Sequence, residues 1–180
     1  MLVAALAVLV AISAYAETTN FFVMVQTGTA RAVQDAINNG ASVNASDIDG
    51  LTPLMRAARD NKNAEVISIL LKAGADIEAR DKRPGIGGTA LIWAAASNEN
   101  PEVATTLVRA GANRDVRTED GRTPLIWAAE SNPNPEMIIV LLHAGVDAKA
   151  RDKSGMTAYD YARYNLKGTD ALKKLEEASQ

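Results

Sequence analysis

The sequence has no cysteine, one histidine and only two phenylalanines among its 180 residues. Without thiols it has no disulfide, no thiolate metal site and no lipid-modified cysteine to hold it at a membrane. With one imidazole and no thiol, a transition-metal site has almost no ligands. An excess of positive charge is also missing. Nineteen Lys and Arg stand against 22 Asp and Glu, for a formal net charge of −3 and a pI near 5.2. Phosphate backbones need a basic face, so nucleic acid is not expected as a partner. Aromatic residues make up only 4% of the chain. A core poor in rings and rich in Ala and Leu suits closely packed helices. The chain is nonetheless 47% hydrophobic and 23% charged, too apolar to be disordered throughout. Its length is enough for one domain with a sizeable core.

The first sixteen residues differ from the rest. Leu2 to Ile12 is an unbroken apolar run, followed by Ser13-Ala14-Tyr15-Ala16-Glu17. Small residues at Ala14 and Ala16 fit the narrow pocket of signal peptidase, so residues 1–16 read as a signal peptide cleaved after Ala16. Retention as a membrane anchor is the alternative. Some 15 apolar residues would span roughly 22 Å, short of a hydrocarbon core of roughly 30 Å. No Lys or Arg precedes the run, and only the amino terminus supplies positive charge there. The expected mature domain covers 17–180, periplasmic or secreted, held together by packing alone and not inserted in a membrane.

Two markers recur along that domain. The first is Gly50-Leu51-Thr52-Pro53-Leu54-Met55-Arg56-Ala57-Ala58, then Gly88-Thr89-Ala90-Leu91-Ile92-Trp93-Ala94-Ala95, then Gly121-Arg122-Thr123-Pro124-Leu125-Ile126-Trp127-Ala128-Ala129. A worn copy follows at Gly155-Met156-Thr157-Ala158-Tyr159-Asp160-Tyr161-Ala162. The four threonines lie 37, 34 and 34 residues apart. The second marker is a glycine, at Gly40, Gly74, Gly111 and Gly145, spaced 34, 37 and 34. Each glycine ends a run with helical periodicity, such as Val66, Ile67, Leu70 and Leu71, with polar residues opposite. Thr can cap free amides, Pro suits the first helical position, and Gly suits the left-handed conformation that ends a helix. Each unit therefore reads as a polar turn, a short helix, a loop, a second helix and a glycine stop. No unit buries its apolar face alone, so units must stack.

The Thr-Pro-Leu-x-x-Ala-Ala start and Gly-Ala end at this period resemble the ankyrin repeat, over about residues 18 to 180. The resemblance implies an all-α solenoid of about five helix-turn-helix units: 18–46, 47–80, 81–117, 118–151 and a C-terminal cap over 152–180. It further implies β-hairpin finger loops and a concave face lined by the first helices. The family's usual His after Thr-Pro-Leu is here Met55, Ile92, Ile126 and Asp160, so apolar contact replaces a polar bridge. Between the paired helices the family's turn Gly is missing in three units. The loops there are Asn61-Lys62-Asn63, Asn98-Glu99-Asn100-Pro101 and Asn132-Pro133-Asn134-Pro135. Asn tolerates the left-handed conformation, which is the role expected for it there. The first unit keeps the turn glycine as Gly28. The finger Arg80 to Gly88 is about three residues longer than its neighbours, basic, and expected to show Ile86 to solvent.

Catalytic chemistry finds little footing. His143 falls where sister units hold Lys72 and Arg109, which predicts a solvent-facing side chain and not a base or ligand. Glu119 and Asp120 sit in a finger turn with no sign of the burial that a catalytic carboxylate needs. Gly85-Ile86-Gly87-Gly88 lacks the Lys-Ser/Thr that a phosphate loop requires. Trp93, Trp127 and Tyr161 share one repeat position, which favours a core ladder of stacked rings over a ligand-stacking column. Lys173 to Glu177 reads as the solvated face of a capping helix, with Ala171, Leu172 and Leu175 turned inward.

The resemblance implies a module that binds a partner protein, an adaptor or inhibitor-like scaffold. It implies no enzyme activity, no cofactor and no metal, and a monomer in isolation. The candidate surface comprises Ile48, Asp49, Leu51, Lys82, Arg83, Ile86, Glu119, Asp120, Arg122, Lys153 and Met156 from the fingers. From the first helices it takes Arg56, Arg59, Asp60, Ser97, Glu130, Ser131 and Tyr164. Mixed charges there suggest a specific partner. A structural or protective envelope protein without a tight partner is the alternative.

Overall fold

A computed structural model of the protein describes residues 20–180. The expected signal peptide, 1–16, lies outside the described residues. A helix over 20–27 (α1) opens the described chain. Then come α2 (Ala30–Asn38), α3 (Pro53–Asp60), α4 (Ala64–Lys72), α5 (Ala90–Ser97) and α6 (Pro101–Arg109), followed by α7 (Pro124–Ser131), α8 (Glu136–His143), α9 (Ala158–Asn165) and α10 (Asp170–Ser179). Helices of eight to ten residues are marginal alone, so packing must hold them.

Each start is set locally. The hydroxyls of Thr52, Thr123 and Thr157 accept from the amides of Met55, Ile126 and Asp160. Pro53 and Pro124 fill the first helical position, where no donor is wasted. Thr89 precedes Ala90 instead, and its side chain makes no cap bond. At the far end of the second helices, Gly74, Gly111 and Gly145 adopt φ of 88°, 99° and 76°. That is the left-handed conformation the sequence predicts for them.

The helices form two rows. α3, α5, α7 and α9 pack in sequence along one row, and α2, α4, α6, α8 and α10 along the other. The core runs between them through Leu54, Leu91 and Leu125 and, from the second helices, Val66, Leu70, Leu107 and Leu141. The alanine pairs Ala57-Ala58, Ala94-Ala95 and Ala128-Ala129 are buried and let neighbouring helices approach. Met55, Ile92 and Ile126 are buried where the family carries His. Asp160 instead accepts from the amide and hydroxyl of Thr157, a capping use. The last helix buries Ala171 and Leu175 and leaves Lys173, Glu176 and Glu177 outside.

The fingers carry no β-strand among the described residues. Each is a turn closed by a backbone bond from the amide of its first residue: Asp47 to Leu51, Asp81 to Gly88, Thr118 to Arg122, Asp152 to Met156. In the three short fingers the glycine amide, of Gly50, Gly121 or Gly155, bonds back to the carbonyl of that first residue, which leaves no room for a ladder; the longer finger turns instead through Ile86 N to the Arg83 carbonyl. Neighbouring fingers are tied instead to one another. The amides of Lys82, Glu119 and Lys153 donate to the carbonyls of Asp49, Ile86 and Asp120 at 2.8, 2.9 and 3.0 Å. This closeness explains Gly50: its φ is 76°, and a Cβ there would lie 2.7 Å from the Lys82 amide nitrogen.

The asparagine loops work differently from the expectation. No non-glycine residue has positive φ among the described residues, and Asn61, Asn98 and Asn132 are extended, with ψ of 120°, 127° and 129°. They act through their side chains. Asn98 donates to the carbonyls of Ala58 and Asn61 at 2.9 and 3.0 Å, and its Oδ1 accepts from the Asn100 amide at 2.8 Å. Asn132 repeats this on Ala95 and Asn98, and Asn61 on Val25 and Gly28. Each amide thus satisfies carbonyls left free at the end of the preceding unit's first helix. Gly28 is also not left-handed; a Cβ there would meet the Met24 carbonyl oxygen at 2.5 Å.

Candidate partner-binding face

The fingers and first helices meet along one column. The residue four after each Thr is Arg56, Trp93, Trp127 or Tyr161, and it lies under the start of its own finger. In three units that start is an aspartate. Asp47 accepts from the Arg56 guanidinium, with the Arg56 Nε at 3.1 Å. Asp81 Oδ2 accepts from Trp93 Nε1 at 3.0 Å, and Asp152 Oδ2 from the Tyr161 hydroxyl at 2.6 Å. These carboxylates also close their turns: Asp47 accepts from the Asp49 and Leu51 amides, and Asp152 from those of Ser154 and Met156. In the third finger the position is Thr118. Its hydroxyl is engaged with Asp120 and the Arg122 amide, and Trp127 Nε1 is buried without an acceptor.

The aromatic column is therefore not rings on rings. Trp93 joins the core at 9% exposure, while Trp127 and Tyr161 are half-buried. Guanidinium groups cover them. Arg83 lies 3.9 Å from the Trp93 centroid, and Arg122 lies 5.0 and 5.3 Å from those of Trp127 and Tyr161. Arg122 also pairs with Glu130, with Asp120 at 3.0 Å and with Asp152 at 3.8 Å. A second arginine row binds the fingers together. Nη1 of Arg80 donates to Gly87 and Arg117 carbonyls, and that of Arg117 to Gly121 and Arg151 carbonyls.

Burial pushes the Asp47 and Asp152 carboxyls up, but their hydrogen bonds outweigh it. Arg56 and two amides hold Asp47 below the usual carboxylate range, and Tyr161, two amides and Arg122 do the same for Asp152. Asp160 is lowered by its bonds from Thr157. The Tyr161 phenol is raised, chiefly by its bond to Asp152. A carboxyl lowered on folding stabilises the fold above its unfolded pKa, near 3.9, and loses that contribution as pH falls through the folded value. The urea midpoint should therefore hold steady from about pH 7 to pH 5 and fall below about pH 4. A midpoint unchanged between about pH 5 and pH 3 is incompatible with these bonds.

The candidate residues divide. Ile48 is 94% and Tyr164 67% exposed. Asp49, Asp60, Lys82, Ser97, Glu119, Ser131 and Lys153 are exposed, whereas Asp120 and Met156 are half-buried, as are Arg59, bonded bidentately to Asp60, and Glu130, bonded to Arg122. Leu51 is a correction. At 2% exposure it belongs to the core, because the turn at Gly50 sends the next side chain inward. Ile86 is likewise half-buried against the core and not displayed, pinned by its carbonyl to Glu119. Arg56, Arg83 and Arg122 are mostly covered, with side-chain exposures of 24%, 28% and 23%. The sequence reading missed Asp47, Asp81 and Asp152, whose recurrence ahead of the Thr marker was the available signal.

The loop Gly85–Gly88 offers few free amides: Gly85 N donates to Glu119 Oε2 and Gly88 N to Asp81 Oδ2. Among the described residues no cluster of His, Asp or Glu is arranged to hold a metal ion, and His143 is exposed. No helix among them is long and apolar enough to cross a membrane. The family model for ankyrin repeats (3 copies) matches residues 21–113 and 91–178. No curated protein matches the chain in sequence.

Proposed function

The chain belongs to the ankyrin-repeat family, and from that premise we propose that it is an adaptor or inhibitor-like scaffold that grips one partner protein through its fingers and first helices. Ankyrin repeats generally serve protein–protein interaction and are typically non-enzymatic. The observation that carries the reading is Ile48. It stands 94% exposed at a finger tip whose turn is locked by Asp47, a rigid apolar anchor with nothing of its own to cover it. Tyr164, on the last of the first helices, supplies a second exposed anchor.

The proposed unit is a five-unit stack with hairpin-like fingers, acting as a monomer without cofactor or catalysis. We place it outside the cytoplasm, on the strength of the apolar run Leu2–Ile12 followed by Ala14 and Ala16. N-terminal sequencing of the mature chain should begin at Glu17. Affinity capture from the native compartment should recover one dominant partner. Ile48→Asp should abolish that recovery, and a combined Lys82→Glu, Arg83→Glu variant should weaken it, with melting unchanged for the first. Recovery indifferent to reversals at every finger would overturn the face, and a deletion phenotype with no stable complex would favour the protective role instead.

A further inference from the structure

Resting on that reading of the fingers, we infer that the outer edge of the second, third and fourth fingers binds an acidic polyproline II segment of the partner. One carboxylate falls on each finger, held side-on by the exposed guanidinium of Arg80, Arg117 or Arg151.

The edge is built from the residues that flank the buried start of each finger. Asp81, Thr118 and Asp152 are buried. Their neighbours are Arg80 and Lys82, Arg117 and Glu119, and Arg151 and Lys153, and all six are exposed. The five cations form no ion pair among the described residues. The one carboxylate, that of Glu119, accepts from the Gly85 amide at 2.8 Å. The edge therefore carries a local excess of four positive charges, in a chain whose net charge is −3. Such a patch favours a partner segment of the opposite sign.

The three arginines are also held alike. Arg80 Nη1 donates to the Gly87 and Arg117 carbonyls at 2.8 and 2.9 Å. Arg117 Nη1 donates to those of Gly121 and Arg151, both at 2.8 Å, and Arg151 Nη1 to that of Gly155 at 2.6 Å. In each case Nε and Nη2 make no hydrogen bond among the described residues. Those two atoms share the edge of the guanidinium that takes a carboxylate side-on. Arg59 uses them in this way on Asp60, at 2.9 and 2.8 Å. A carbonyl is a neutral partner, so the whole positive charge remains for a ligand. Because Nη1 already fixes each group, less side-chain freedom is lost when the ligand arrives.

The spacing selects the backbone of that ligand. Each finger folds the chain back on itself, and each is bonded backbone to backbone with the next. At about 4.8 Å per pass, the row advances about 10 Å per finger, in line with the roughly 8–10 Å between packed helices. A polyproline II chain has three residues per turn and rises about 3.1 Å per residue. Every third side chain then lies on one side, about 9 Å from the last. A β-strand alternates its side chains and would turn every second carboxylate of such a series away.

The test titrates a labelled peptide of four Glu-Pro-Pro triplets into the protein at low salt, followed by fluorescence anisotropy. The controls are a peptide of the same composition with its glutamates in one block, and a Lys-Pro-Pro repeat. The triplet peptide should bind, about tenfold tighter than the block peptide, and weaken as salt is added. Lys-Pro-Pro should not bind. Lys82→Gln, at an exposed side chain, should weaken binding about threefold, and Arg80→Gln and Arg151→Gln about threefold to tenfold each. Arg117→Lys keeps the charge but not the fork, and should weaken binding nearly as much as Arg117→Gln. Urea midpoints are measured beside each variant, because these arginines also tie the fingers together; the register comparison uses the unaltered chain. No binding by the triplet peptide, equal binding of both acidic registers, or parental affinity in the arginine variants would overturn the inference. So would tighter binding to anionic lipid vesicles or an oligonucleotide than to the triplet peptide. If a natural partner is captured and lost on Ile48→Asp but not on these substitutions, the binding module stands and only this edge fails. If no partner is captured at all, the module itself fails.

Discussion

Asn98→Ala should cost about 3–5 kcal/mol of folding stability, measured by urea denaturation followed by circular dichroism. The side chain is 2% exposed and holds three backbone groups: the carbonyls of Ala58 and Asn61 and the amide of Asn100. Removing one partner of a buried hydrogen bond costs about 1–3 kcal/mol for the group left behind, and here three are left. Asn98→Asp keeps the shape and should cost more at neutral pH, because a carboxylate would face two carbonyl oxygens in a dry site. Its proton would be held there, raising the folded pKa above the unfolded value. The penalty should therefore be least at low pH and grow as pH rises through that folded pKa. The parent protein has the opposite slope below about pH 4, from Asp47, Asp152 and Asp160. Equal slopes in both proteins would show that Asn98 does not face carbonyls.

Trp93→Ala should cost a comparable amount, about 3–5 kcal/mol, as for other large rings deleted from cores. The indole does two things at once. Its body fills the space between layers, at 9% exposure, and its Nε1 donates to Asp81, whose side chain is fully buried. Trp93→Phe separates them. It keeps most of the volume and strips one donor from a buried carboxylate, which should cost about 1–3 kcal/mol. The order should be alanine worse than phenylalanine, with both visible in the urea midpoint. A melting temperature unchanged by Trp93→Ala would show that the ring is not part of the core.

Much of the architecture was legible because a repeat writes the same instruction several times. The Thr marker placed the first-helix starts, the glycine marker placed the second-helix ends, and both periodic faces proved to be core. Solvent-facing His143 and the capping helix were equally readable. The asparagine loops were not. A local reading takes Asn as a residue tolerant of left-handed turns, whereas Asn61, Asn98 and Asn132 reach carbonyls more than thirty residues earlier. Such bonds have no local pattern, although the asparagines do recur with the repeat. The face was read only in part. Ile48 and Tyr164 are as exposed as finger tips and first-helix edges should be. Leu51 is one residue past a left-handed glycine, and that turn reverses which way it points. Arg83 looked like a free surface cation, and only the fold reveals the indole beneath it.

The central claim is that one face of this ankyrin stack grips a protein. Photo-crosslinking side chains placed singly at Ile48, Lys82, Ser97 and Ser131 test it most directly, against the same group at Lys72, Arg109 and His143 on the second helices. All seven positions are exposed, so reach is comparable. The account predicts adducts to one and the same protein from the finger and first-helix positions and none from the second-helix row. Adducts from the second-helix row, or equal yields from both, would contradict it.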